Sequence, residues 1–196
     1  VPSSLGGRRK MRYTTAHVRM PESSVVNLKN ASHEISAKVV IPSGGASGVI
    51  ACQGGNMSGW TLYIDETGKV SYHYNCFGQY LTTLSAASPL DMGTHKILLK
   101  YEHDGGFGTG GEATLTVDNK IVDKARISRT VPLVYSISGE TFDVGIDTGA
   151  PVGPYQDGFP FSGDIIEVIL ERIGKRDPRT NEKMKEGIVH AGLRTQ

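Results

Sequence analysis

Residues 33–41, HEISAKVVI, put Ile35, Ala37, Val39 and Ile41 at every second position. That period of two matches the pleat of a half-buried β-strand, not the turn of about 3.6 residues on which helical faces repeat. Pro42-Ser43-Gly44-Gly45 follows with turn chemistry. The alternation returns in WTLYI, where Trp60, Leu62 and Ile64 share a side, and in Val70, Tyr72, Tyr74 and Cys76 beyond the hairpin loop Asp65-Glu66-Thr67-Gly68-Lys69. In THKILLKYEH the face is His95, Ile97, Leu99 and Tyr101, and EATLTVDNKIVDKARI reads as a hairpin turning at Asp118-Asn119-Lys120. Short strands are also expected at 131–137 and 142–146, and GDIIEVILER predicts Ile166, Val168 and Leu170 on one face. Roughly ten to twelve short strands between turn signals predict an all-β antiparallel two-sheet sandwich or jelly roll.

The chain of 196 residues is long enough to bury a core without disulfide staples and too short for a second full domain. Lys and Arg total 21 against 20 Asp and Glu, so no basic excess exists to drive counterion release, and no nucleic-acid partner is expected. Apolar runs such as Val168-Ile169-Leu170 fall far short of the ~20 residues a membrane helix needs, and no membrane span is expected. The profile divides into an N-terminal arm or linker over 1–27, a sandwich over 28–173 and a polar tail over 174–196 with one short helical window at 181–189. Position 1 is Val, and no leader of charged, apolar and small residues opens the chain. A piece of a longer protein is the expectation, with a periplasmic or extracellular address favoured.

The stretch VIACQGGNMSGW, residues 49–60, sets Cys52 beside a glycine pair and just ahead of the only tryptophan. Alternation with Ile50 predicts that Cys52 lies in the core, and Cys52 and Cys76 both read as free, buried small hydrophobes. The six histidines show no HxH, HxxxH or HExxH spacing, which argues against a zinc site. DGGFGTGGE lacks the Gly-Lys-Ser/Thr of a phosphate loop and leads into a strand rather than a helix, so it reads as a hairpin connection. Asp143 and Asp147, where a strand runs into a loop, are candidate ligands of a structural calcium or turn-capping carboxylates. The aromatics read as core or as a stacking platform for a sugar ring. His73 and Asn75 face away from Tyr72 and Tyr74, leaving one polar face on that strand. Tyr63, His73, Asn75 and Tyr80 are therefore the candidate ligand-binding residues. A glycosidase is disfavoured, because Glu102, Asp104 and Glu112 form no paired carboxylate motif.

The order GVIACQGGNMSGWTLYIDETGKVSYHYNCFGQY, GTHKILLKYEHDGGFGTGGEATLTVDNKIV, FDVGIDTGAPV and FPFSGDIIEVILE resembles the carboxy-terminal region of bacterial arylsulfatases of the formylglycine type, from about Leu28 to Glu171. LTVDNKIV and FSGDIIEVIL are similar to late strands of concanavalin A-like and laminin G-like sandwiches. The resemblance implies a parent that hydrolyses sulfate esters through a formylglycine made in a C/S-x-P/A-x-R motif, with a metal held by Asp and Asn. Cys52 is followed by Gln53-Gly54-Gly55-Asn56 and Cys76 by Phe77-Gly78-Gln79-Tyr80, so neither matches and no catalytic residue carries over. The expectation is a noncatalytic sandwich that packs on, or shapes access to, a sulfatase catalytic domain absent from this chain, or on another protein surface. The alternative is a carbohydrate-binding module for neutral or sulfated glycans.

Overall fold

The computed structural model describes residues 7–136 and 139–174. Two antiparallel sheets pack face to face. The first contains β1 (Lys10–Tyr13), β2 (His33–Ile41), β7 (Gly93–His103), β8 (Gly111–Val117), β9 (Lys120–Ile127) and β11 (Asp164–Arg172), in the spatial order β1-β11-β2-β7-β8-β9. The second contains β3 (Gly48–Gly54), β4 (Ser58–Ile64), β5 (Val70–Cys76), β6 (Tyr80–Ser85) and β10 (Phe142–Val144), in the order β10-β3-β4-β5-β6. Among the described residues the only helical element is a single 3-10 turn, Glu22–Ser24. The expected tail over 174–196, with its helical window at 181–189, lies outside the described residues beyond Gly174.

The core forms where the alternating faces meet. Ile35, Val39, Ile97, Leu99, Leu115, Val168 and Leu170 come from the six-stranded sheet, and Trp60, Leu62, Ile64, Val70, Tyr72 and Leu84 from the five-stranded one. Full burial of such a side chain contributes about 1.5–3 kcal/mol. Trp60 is completely buried, and its indole N–H donates to Gln53 Oε1 at 3.3 Å, which removes the cost of burying a bare donor. The sheets are also joined through rings: Tyr13 of β1 lies 4.7 Å from Phe142 of β10, and Phe142 lies 6.2 Å from Trp60.

Four expectations are corrected here. The segment expected as an arm over 1–27 is built into the sandwich from Lys10 onward: Tyr13, Val25 and Val26 are core residues, and the Val26 amide donates to Tyr13 Oη at 3.2 Å. Its strand pairs only with β11 and is four residues long, too short for a period to show. Residues 131–136 form no strand; their amides go to side chains instead, Val131 N to Tyr74 Oη at 2.9 Å and Tyr135 N to Glu22 Oε2 at 3.0 Å. A register shift between Val49 and Ala51 turns Ile50 and Ala51 both inward, so Cys52 leaves the Ile50 face for the opposite side of the sheet. A second shift between Ile165 and Glu167 packs Ile165 against the core and leaves Ile166 in solvent.

That last bulge reverses the ranking that simple alternation gives. Ile165→Ala is expected to cost about 1–3 kcal/mol of stability and Ile166→Ala under about 0.5 kcal/mol, compared by urea unfolding; the opposite order would place Ile166 in the core.

Candidate functional site

The outward face of the five-stranded sheet is closed over its middle. Register aligns Asp143, Cys52, Thr61, His73 and Thr83 in one row across it. The segment 145–161 lies over that row and its neighbours, so Val49, Cys52, Tyr63 and Val152 form a second small core with Tyr155 and Phe159 against it. Tyr155 stands edge-on to Tyr63 at 5.2 Å and stacks on Phe159 at 5.4 Å. Backbone bonds fasten the cover, with Val49 N donating to Phe159 O at 2.9 Å and Phe161 N to Gly145 O at 2.9 Å.

Of the four expected ligand contacts, three are therefore inside. Tyr63 is buried under Tyr155. His73 is buried, with Nδ1 2.7 Å from Thr83 Oγ1, and burial lowers its pKa below the ordinary imidazole range. Asn75 is buried too: its amide donates to Asn56 O at 2.8 Å and its oxygen accepts from Gly78 N at 2.8 Å, tying two hairpin turns together. The polar face expected to be open on β5 is thus covered and internally bonded. Tyr80 alone reaches solvent.

Asp143 and Asp147 do converge, with Cys52 as an unforeseen third member; one ligand atom from each lies within 4.8 Å of the others, and all three residues are buried. Their hydrogen bonds show what the group does. Asp143 accepts from the Arg19 amide, the Thr148 amide at 3.0 Å and the Thr148 hydroxyl at 2.8 Å. Asp147 accepts from Val152 N at 3.1 Å, Tyr155 Oη at 2.8 Å and Gly149 N at 3.3 Å. Ca²⁺ asks for six to eight oxygens, whereas this group offers a sulfur and carboxylates already engaged by amides and hydroxyls, so the donor set does not fit it. The two aspartates shape the covering loop. Burial, then the charges of Asp147 and Asp143, push the Cys52 thiol well up, which favours the neutral thiol over the nucleophilic thiolate. Cys76 is also free, buried and raised by burial, on the inward face.

The open part of the sheet is its end. The β3–β4 turn carries Met57 and the β5–β6 turn carries Phe77, and these neighbour Tyr80 and Leu81; the four are 48%, 42%, 42% and 57% exposed. Phe77 and Gly78 have φ of 58° and 66°, and Gln79 N donates to Cys76 O at 3.3 Å, closing a turn with positive φ at both central positions. Such turns favour Asn-Gly, and a bulky residue there is strained. Arg129 is exposed, its charge opposes the rise of the Cys76 pKa, and Val131, two residues on, is bonded to Tyr74 on β5. Sequence reasoning singled out neither Phe77 nor Arg129. The available signal was a Phe-Gly pair where a hairpin wants Asn-Gly.

The outward face of the six-stranded sheet is a mosaic of paired charges. Lys10 meets Glu171 at 2.6 Å, Arg12 meets Glu167 at 2.7 Å, and Arg126 bonds both Asp104 and Glu112. The pairing is partial: Lys38 and Lys96, opposite each other on β2 and β7, join no such ion pair among the described residues.

Neither a family model nor a curated protein sequence matches the chain. Solved structures do. The carbohydrate-binding module CBM40 of the Ruminococcus gnavus IT-sialidase, bound to α2,3-sialyllactose, aligns with a TM-score of 0.55 at 16% identity over 86% of this chain and 89% of that one. The same module bound to α2,6-sialyllactose gives 0.55 at 15% identity with the same coverage. A further structure, HCR/D-Sa-GBL1/C, gives 0.51 at 12% identity over 90% of this chain and 40% of that one. The shared fold is an antiparallel two-sheet jelly-roll sandwich. At these identities the likeness is one of architecture, and function must be argued from the surface.

Two measurements check the buried cluster. Neither thiol is expected to react with Ellman's reagent at pH 8 in the native chain, and both should react in denaturant; fast native labelling of Cys52 would mean the cover opens. Burial raises the Asp147 carboxyl above the ordinary range, an effect increased by Asp143 and opposed by the bonds from Val152, Tyr155 and Gly149. A carboxyl whose pKa is higher folded than unfolded gives its full stabilisation only below the unfolded value and loses it as pH rises through the folded one. The stability of the wild type relative to Asp147→Asn should accordingly fall as pH climbs above about 4, read by urea unfolding across the acid range.

Proposed function

We propose that this chain is a noncatalytic carbohydrate-binding module. The observation that carries the reading is a sandwich matching a carbohydrate-binding module nearly end to end, 86% of one chain on 89% of the other, combined with exposed aromatic side chains at one end of a sheet. Glycan sites require flat apolar area beside polar groups, and Tyr80 with its neighbours supplies it. The absence of a C-x-P/A-x-R motif from the sequence and the suppressed thiolate of Cys52 support a binding role rather than catalysis.

A second reading is favoured by FDVGIDTGAPV: the chain is the C-terminal sandwich of an arylsulfatase-like protein and packs beside its catalytic domain. That motif forms the buried Asp143–Asp147 corner, so its specificity has a structural cause, the need for acceptors at both ends of the covering loop. The readings are compatible, since a glycan-binding sandwich can accompany a sulfatase.

A glycan array followed by calorimetry separates them. Binding to at least one neutral, sialylated or sulfated glycan is expected, with micromolar to millimolar affinity, and binding to none would leave only the packing role. Incubation with an aryl sulfate and divalent metal should give no turnover above buffer; turnover would overturn the noncatalytic assignment.

A further inference from the structure

We infer that the small cavity lined by Tyr72 and Tyr101 is a binding site for one internal water molecule, which joins the two sheets of the sandwich through the two phenol hydroxyls. The site does not depend on what the surface of the chain binds.

Cavity size and hydrogen-bond accounting both lead to it. Tyr72 on β5 and Tyr101 on β7 enter the core from opposite sheets and line one cavity of about 10 Å³. That volume is room for a single water. The residues of its wall are all buried, and neither Tyr72 Oη nor Tyr101 Oη finds a hydrogen-bond partner among the described residues. The other polar side chains of the wall are engaged elsewhere. Asn30 Nδ2 donates to Pro132 O at 2.7 Å while its Oδ1 accepts from Gly108 N at 2.8 Å, and Thr130 Oγ1 donates to Thr109 O at 2.7 Å. Tyr74 Oη accepts from Val131 N at 2.9 Å and bonds Tyr135 in turn. His33 Nδ1 lies 2.9 Å from Ala31 O, and Lys29 pairs with Glu22. Two buried hydroxyls with unmet bonding capacity therefore share one water-sized space. Buried polar groups in native proteins are satisfied by protein or by ordered water, and here the protein supplies no partner.

The surroundings fix the place and select the occupant. Gly111, opposite Ile127 in the β8–β9 ladder, leaves room for the Tyr101 hydroxyl: a Cβ there would stand 2.7 Å from Oη. The His33 ring, 5.0 Å from the Tyr101 ring, closes another side. No Asp, Glu or Cys is among the described residues that line the cavity, so a metal ion would meet no anionic ligand there. The volume excludes an organic ligand. A water both donates and accepts, and makes about three bonds in such sites.

The test combines a high-resolution crystal structure of the chain with urea unfolding of Tyr72→Phe, Tyr101→Phe and the double variant. The crystal structure should show a solvent peak about 2.7–3.2 Å from both phenol oxygens. Each single variant should unfold at a lower urea concentration, with the unfolding equilibrium constant raised about threefold or more. The double variant should cost less than the two singles together, because both hydroxyls act through one molecule. A dry pair of hydroxyls gives the reverse sign, since deleting a buried polar group that lacks a partner leaves stability unchanged or raises it. That result, or a direct bond between the two hydroxyls with no solvent peak, would overturn the site. In solution, water magnetic relaxation dispersion should count one slowly exchanging internal water fewer in the double variant than in the wild type. Equal counts would mean that the two hydroxyls hold no water, and the proposal would fall on that measurement alone.

Discussion

Two buried carboxylates, Asp143 and Asp147, decide which parts of this sandwich can meet a ligand. Each turns its oxygens toward the loop that follows it, taking amides from Thr148, Gly149 and Val152 and hydroxyls from Thr148 and Tyr155. A buried carboxylate left without such donors would cost several kcal/mol, so the loop conformation and the burial stabilise each other. The result is a cover that puts Val152, Tyr155 and Phe159 over the middle of the five-stranded sheet. A face that could have been an open glycan platform becomes interior, and the exposed rings move to the hairpin ends.

A second buried anchor lies in the N-terminal segment. Glu22 receives the Lys29 ammonium and the amides of Tyr135 and Ser136, and Lys29 sits 4.8 Å over the Tyr135 ring while nearly fully buried. Removing either charge would strand the other inside the protein, the expensive way to break a buried pair. This arrangement holds residues 131–136 across the mouth of the sandwich, and Val131 reaches Tyr74 from there.

Much of the fold was legible because much of it is buried on one side only. HEISAKVVI and THKILLKYEH show their faces plainly, since solvent meets the other side. β3, β4 and β5 are buried on both faces, and there the pattern blurs: GVIACQG reads as an apolar run, and only Trp60-Leu62-Ile64 and Val70-Tyr72-Tyr74 kept the phase. Cys52 departs from the face that alternation predicts for a local reason, because the bulge at Ile50 shifts the phase by one residue and composition gives no sign of it. His73 and Asn75 lie on the face that alternation predicts, but what covers that face arrives about seventy residues later in the chain, beyond any periodicity. Asp143 and Asp147 were legible as a pair and not as a trio with Cys52, since their meeting depends on the β10–β3 register.

A module of this kind, in the proposed reading, has no chemistry to contribute, only proximity. Tethering a weak sugar site to a catalytic domain raises local substrate concentration to the millimolar range when the linker spans the two sites. That gain does not require high affinity, and a small rigid platform suffices. Strain then finds its natural place: Phe77 can be held at positive φ because the paired turns around Asn75 and the closed sheet beneath absorb the cost.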